Sequence, residues 1–195
     1  LQNDIVLGTA LVDMYSRCGV LTKAQQVLDD LPARDIVTWN ALITGYAHKC
    51  KGQEALNCYE EMKNEGFSPD SVTFTCILTA CGRMGSIENG EKIHHEIVTT
   101  GLLEENSILG PPLVDMYAKC DMLQEAQHVV DRLSFKTVIS WNALITGYTQ
   151  NDQGQEAIIC FDRMRSEGFS PDVVTFTCIL KACGSIGSIH KGKQI

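Results

Sequence analysis

Residues 38–82 read TWNALITGYAHKCKGQEALNCYEEMKNEGFSPDSVTFTCILTACG, and residues 140–184 read SWNALITGYTQNDQGQEAIICFDRMRSEGFSPDVVTFTCILKACG. The second stretch is the first one displaced by 102 positions, so the chain is built from internal repeats. Outward from these stretches the displacement continues: LVDMYSRC at Leu11 returns as LVDMYAKC at Leu113. Within the first stretch, Trp39, Leu42, Ile43 and Tyr46 are spaced i, i+3, i+4, i+7, which places them on one stripe of an α-helix. Ala55, Cys58, Tyr59 and Met62 repeat the spacing after a break near Lys51 and Gly52, and Gly66 followed by Pro69 ends this second helix.

A spacing of 102 exceeds one supersecondary unit, and it subdivides where the helical pattern restarts: Ile5, Ile36, Ser71, Ser107, Val138 and Val173. The units are then residues 5–35, 36–70, 71–106, 107–137 and 138–172, with a truncated sixth at 173–195. Each is a pair of antiparallel helices. One pair cannot bury both apolar stripes, so neighbours must stack into an all-α solenoid, whose winding sense the residues leave open. Trp39, Trp141, the methionines and most aromatics are expected in its core, because they lie on the stripes. Both ends of the chain cut through repeats without a polar capping helix, which suggests a piece of a longer protein and leaves self-association through uncapped ends as an expectation.

Composition narrows the chemistry. At 195 residues, 44% hydrophobic and 21% charged, the chain has enough apolar material to pack, and no stretch has the length for a membrane helix. The nine cysteines contain no C-x-x-C spacing and themselves follow the repeat, as in Cys18 and Cys120, Cys58 and Cys160, Cys76 and Cys178, Cys81 and Cys183. They are read as reduced, mostly buried thiols, with no metal site and no cofactor. His94, His95 and Glu96 supply the H-x-E of a zinc deaminase, but the P-C-x-x-C half is missing, so no enzymatic activity is expected of these residues. The net charge of −8 opposes a polyanionic partner unless basic groups gather on one face.

Units of 31, 35 and 36 residues in rotation resemble the pentatricopeptide repeat (PPR) family, specifically its plant class with alternating short, standard and long repeats. The marks are LVDMYSRCG and LVDMYAKCD in the short units, TWNALITGY and SWNALITGY with GFSPD in the standard ones, and VTFTCIL followed by ACG in the long ones. The resemblance implies a right-handed α-solenoid that binds single-stranded RNA in chloroplasts or mitochondria, one base per repeat. It further implies selection of cytidines for editing to uridine, any deaminase chemistry coming from an editing domain or accessory protein.

On that resemblance, the fifth and last residues of each repeat read the base edge. The pairs are Thr9 with Asp35, Asn40 with Asp70, Thr75 with Asn106, Pro111 with Thr137, and Asn142 with Asp172, and Thr177 stands alone in the truncated unit. Hydroxyls and amides donate and accept whereas carboxylates only accept, so such pairs can distinguish base edges. Family analogy assigns guanine to Thr with Asp, uracil to Asn with Asp and, more weakly in a long unit, adenine to Thr with Asn. Pro111 has no polar side-chain atom, so its repeat is expected to space rather than read, giving G-U-A-N-U from the 5′ end. The second residues, Val6, Val37, Val72, Ile108, Ile139 and Val174, are all β-branched and by the same resemblance sandwich the bases. Arg17, Arg83 and Lys119 share the thirteenth position and are candidates for phosphate contacts, although His48, Gln150 and Ser185 leave that stripe incomplete.

From the residues alone other roles stay open: the β-branched set as ordinary apolar positions near helix starts, the aspartates as helix caps, the basic set as solvated surface. At the level of function the alternative is a tetratricopeptide-like scaffold whose faces accept a protein partner.

Overall fold

The structure, a computed structural model, describes residues 5–105 and 107–187, and all of its regular elements are helices. They are α1 Ile5–Cys18, α2 Leu21–Asp30, α3 Ile36–His48, α4 Gly52–Asn64, α5 Ser71–Met84, α6 Ile87–Thr99, α7 Leu102–Glu105, α8 Gly110–Lys119, α9 Leu123–Arg132, α10 Val138–Gln150, α11 Gly154–Ser166 and α12 Val173–Ser185. None of the described helices is long and apolar enough to cross a membrane. The chain forms two compact units, one ending at Ser86 and containing α1–α5, the other beginning at Ile87 and containing α6–α12.

In the first unit α1, α3 and α5 pack side by side, while α2 packs against α1 and α3, and α4 against α3 and α5. Each second helix thus fills the joint between its own first helix and the next, which is how the stripes find cover. Trp39, Leu42 and Ile43 from α3 and Ala55, Tyr59 and Met62 from α4 are buried together with Phe74, Ile77 and Leu78 of α5. The second unit repeats the plan, with α8, α10 and α12 in a row and α9 and α11 in the joints around buried Trp141, Leu144, Ile145 and Phe161.

The close approach of first helices depends on the glycine in TGY. A Cβ added to Gly147 of α10 would lie 2.6 Å from the Ala118 Cβ of α8, and one added to Gly45 of α3 would lie 2.6 Å from the Ser16 Cβ of α1. Between α1 and α2, α3 and α4, α8 and α9, and α10 and α11 the chain turns through one left-handed residue, Gly19, Cys50, Asp121 and Asp152 respectively, with φ between 56° and 78°. The turns before α3 and α10 are pinned by ion pairs at equivalent places, Arg34 with Glu65 and Lys136 with Glu167 (2.9 Å).

One start differs from the sequence reading. The pattern places a helix from Ser107, whereas α7 occupies Leu102–Glu105 and the next long helix begins at Gly110. Pro111 and Pro112 set that start: proline has no N–H to give to a preceding carbonyl and fits only a first turn, which they fill.

Candidate nucleic-acid interface

The last residue of a repeat doubles as the cap of the following helix. Asp35, Asp70 and Asp172 sit in extended backbone before α3, α5 and α12, and each carboxylate accepts the N–H of the residue three positions on: Thr38 (2.8 Å), Thr73 (2.9 Å) and Thr175 (2.9 Å). Such caps contribute about 1 kcal/mol each by occupying an orphan helix N–H. For Asp172 the Thr175 N–H, followed by the hydrogen bonds from the Asn142 amide and the Thr175 hydroxyl, holds the carboxyl below its ordinary range.

The same carboxylates reach back to the preceding repeat. Asn40 Nδ2 donates to Asp70 Oδ1 and Oδ2 (3.1 and 3.3 Å), and Asn142 Nδ2 donates to Asp172 Oδ1 and Oδ2 (2.9 and 3.0 Å). Both asparagines of the fifth position are therefore brought onto the aspartates expected to work with them. They are 8% and 7% exposed, so their amides are already desolvated and oriented.

A third partner went unnoticed in the sequence. Thr73 Oγ1 lies 2.6 Å from Asn40 Oδ1, and Thr175 Oγ1 lies 2.6 Å from Asn142 Oδ1. Around Thr9 the link is shorter: Thr9 Oγ1 is 2.6 Å from Thr38 Oγ1, which is 2.7 Å from Asp35 Oδ1, and Thr9 Oγ1 also reaches Ile5 O at 2.8 Å. Thr9 thus meets its aspartate through Thr38 rather than directly. The signal for these residues was a recurring D-x-x-T, from Asp35 to Thr38, Asp70 to Thr73 and Asp172 to Thr175.

The remaining pairs are less complete. Thr75 and Thr177 donate their hydroxyls to the carbonyls of Ser71 and Val173 (2.7 Å each), and Asn106, expected to work with Thr75, lies outside the described residues. Pro111 is half-buried in the first turn of α8, and Thr137 caps α10 by accepting the Ser140 N–H at 3.2 Å. Beside these positions all six second residues are exposed, from 51% for Val72 to 74% for Val6, with Val37, Ile108, Ile139 and Val174 in between. Apolar β-branched groups this exposed are not part of the core.

The basic candidates already hold intramolecular partners. Arg17 Nε pairs with Asp13 at 2.8 Å and Lys119 with Asp115 at 2.5 Å, both one helical turn back. Arg83 Nη1 donates to the carbonyls of Ala47 (2.8 Å) and His48 (3.3 Å), at the end of α3. A phosphate at Arg17 or Lys119 would compete with a carboxylate, although exposed pairs of this kind are weak. Among the described residues no group of three or more histidine, cysteine or acidic side chains could hold a metal ion.

Comparison with known proteins places this geometry. The profile of the PPR repeat family matches residues 34–83 and 136–185, and a second PPR repeat profile matches residues 72–102. The chloroplastic pentatricopeptide repeat-containing protein CRR2 of Arabidopsis thaliana is 40% identical over 198 residues, covering 100% of this chain and 30% of that protein. The mitochondrial pentatricopeptide repeat-containing protein At2g03380 of Arabidopsis thaliana is 35% identical over 189 residues, covering 97% of this chain and 27% of that protein. The chain thus spans about a quarter to a third of the length of such relatives. Among solved structures, the pentatricopeptide repeat protein PPR10 from maize superposes with a TM-score of 0.76 at 22% identity, over 95% of this chain and 28% of that one. The PPR domain of Arabidopsis thaliana protein-only RNase P 1, solved in complex with tRNA, superposes with a TM-score of 0.67 at 13% identity, over 92% of this chain and 98% of that one. With half the chain matched by one repeat profile and the helix pairs stacked as that fold requires, the chain belongs to the PPR repeat family.

Proposed function

We propose that this chain binds single-stranded RNA, one base per repeat, as part of an organellar RNA-processing or C-to-U editing specificity factor of the class with alternating repeat lengths. The observation that carries the reading is the twice-built pair of a desolvated, oriented asparagine amide and a capping aspartate. An exposed β-branched residue stands three positions before each asparagine, Val37 before Asn40 and Ile139 before Asn142. Bases splayed from a single strand need these two things, an apolar surface for their faces and fixed polar atoms for their edges. The family membership and the chloroplastic and mitochondrial relatives support the nature of the partner and the compartment.

The order of readers gives G at Thr9 and Asp35, U at Asn40 and Asp70, a weak A at Thr75 and Asn106, an unread base at Pro111 and Thr137, and U at Asn142 and Asp172. Base contacts of about 1–2 kcal/mol each barely exceed the ordering and association cost over four bases, so binding by this chain alone is weak. No step of the reading needs catalysis by these residues.

The exposed valines and isoleucines would also suit a protein partner, and salt separates the two readings. RNA affinity falls as salt rises from low to moderate concentration because phosphate neutralisation releases counterions. Salt-independent capture of a protein, with no RNA binding at low salt, would replace RNA by the scaffold reading.

A further inference from the structure

We infer that Thr73 and Thr175 are positioning residues for base choice: each fixes the amide of the asparagine in the preceding repeat, so a repeat's preference is set partly by the third residue of the repeat that follows. The inference rests on the RNA-reading function proposed above and says what makes its uracil preference sharp.

The side-chain amide of asparagine has a donor end and an acceptor end of nearly equal shape, and its rotation exchanges them. Asn40 is held against that exchange from both ends. Its Nδ2 faces the Asp70 carboxylate, and its Oδ1 takes the hydroxyl of fully buried Thr73 at 2.6 Å. Turning the amide over would set Oδ1 against the carboxylate, two acceptors face to face. With one Nδ2 hydrogen on Asp70, the other remains for a base. Uracil offers a carbonyl at C4 to such a donor, whereas cytosine offers an amino group, so a fixed amide selects between the two pyrimidines.

The same arrangement recurs at Asn142, Asp172 and Thr175, with distances of 2.9, 3.0 and 2.6 Å. The repeat with Pro111 serves as an internal comparison. Its fifth residue gives nothing to hold, and the Ser140 hydroxyl turns instead to the carbonyl of Thr137 at 2.8 Å. The third-position hydroxyl lies against its own helix start in every case, Thr73 Oγ1 at 2.9 Å from Asp70 Oδ1 and Thr175 Oγ1 at 3.0 Å from Asp172 Oδ1, and it reaches the preceding reader as well only where that reader is polar.

The test measures binding of this chain to the RNA G-U-A-N-U and to the same RNA with both uracils changed to cytosine. Thr73→Val with Thr175→Val should reduce the uracil-to-cytosine preference about three- to ten-fold at each site, the range of one net hydrogen bond, while Thr73→Ser with Thr175→Ser keeps it. Valine variants that retain the full preference overturn the inference, even if their Tm falls. An unaltered chain without preference for uracil overturns the base-reading function itself and this inference with it. Should the valine variants not fold, the unaltered chain decides by NMR. Slow exchange and hindered rotation of the Asn40 and Asn142 side-chain amides support the inference, and free rotation overturns it.

Discussion

At the scale of single residues, the cysteines show how repetition and burial govern chemistry. Cys58 and Cys160 occupy equivalent places, each near a glutamine oxygen, Gln25 Oε1 at 3.6 Å and Gln127 Oε1 at 3.3 Å. Burial, the leading cause in both, pushes these thiols up to about 12, so they carry almost no thiolate at neutral pH. Cys81 and Cys183 are also buried, whereas Cys18 and Cys50 are exposed and Cys76, Cys120 and Cys178 are half-buried. The sequence reading of mostly buried thiols thus holds for Cys58, Cys81, Cys160 and Cys183, fails at Cys18 and Cys50, and is only half met by Cys76 and Cys178 inside α5 and α12. Labelling with iodoacetamide at pH 7 is expected to modify Cys18 and Cys50 first, and Cys58 and Cys160 only after denaturation, as peptide mass mapping can check. Early modification of Cys58 in folded protein would contradict its burial.

The stripes of Trp39 and of Cys58 were legible because their period is helical and every member proved buried. The aspartate and asparagine positions were legible only through resemblance, since a carboxylate before a helix reads equally as a cap. In the structure it is a cap that, at Asp70 and Asp172, also accepts the asparagine of the preceding repeat. Thr73 and Thr175 escaped notice because a threonine three residues after a cap has a sufficient local role; only the packing of the next repeat brings its hydroxyl onto an asparagine more than thirty residues earlier. The repeat boundary at Ser107 does not coincide with the start of α8 at Gly110, because the Pro111–Pro112 pair decides where helical hydrogen bonding can begin.

At the scale of elements, the turns between paired helices ask for a left-handed residue whatever the sequence supplies. Gly19 adopts it without cost, whereas Cys50 (φ 58°) carries a Cβ into that region. Cys50→Gly is expected to raise stability by about 1 kcal/mol, measurable as a higher Tm, and a lower Tm would contradict this account of the turn.

The contact of α6 with α8 carries a titratable group. His94 Nδ1 of α6 lies 2.8 Å from the Tyr117 hydroxyl of α8, with the rings edge to face at 5.6 Å. Burial, then the Arg132 charge, holds the His94 imidazole below its ordinary range, with Glu125 opposing and His95 adding slightly. A group depressed in the folded state gives stability that is present above its unfolded pKa of about 6.5 and is lost as pH falls toward the folded value. The Tm should therefore fall between pH 7 and pH 5, and His94→Gln should flatten part of that fall. An unchanged pH profile in the variant would remove His94 from the account.

At the scale of the whole molecule, a chain of net charge −8 is proposed to bind a polyanion, and the local chemistry has to overcome the global repulsion. Arg17 and Lys119 stand paired with aspartates, so the expected affinity comes from base faces and edges more than from phosphates. Such a binder discriminates sequence even while it binds weakly, and the fall of its affinity with salt comes from the few phosphates it neutralises.

The most direct test of base-by-base reading is binding of this chain to G-U-A-N-U and to the same RNA with either uracil changed to guanine, at low salt. The account predicts loss of binding on each substitution, and recovery of the guanine-bearing RNAs by Asn40→Thr or Asn142→Thr at the matching position, since the proposed reading assigns guanine to Thr with Asp. Equal binding to all the RNAs, or no binding to any, would contradict it.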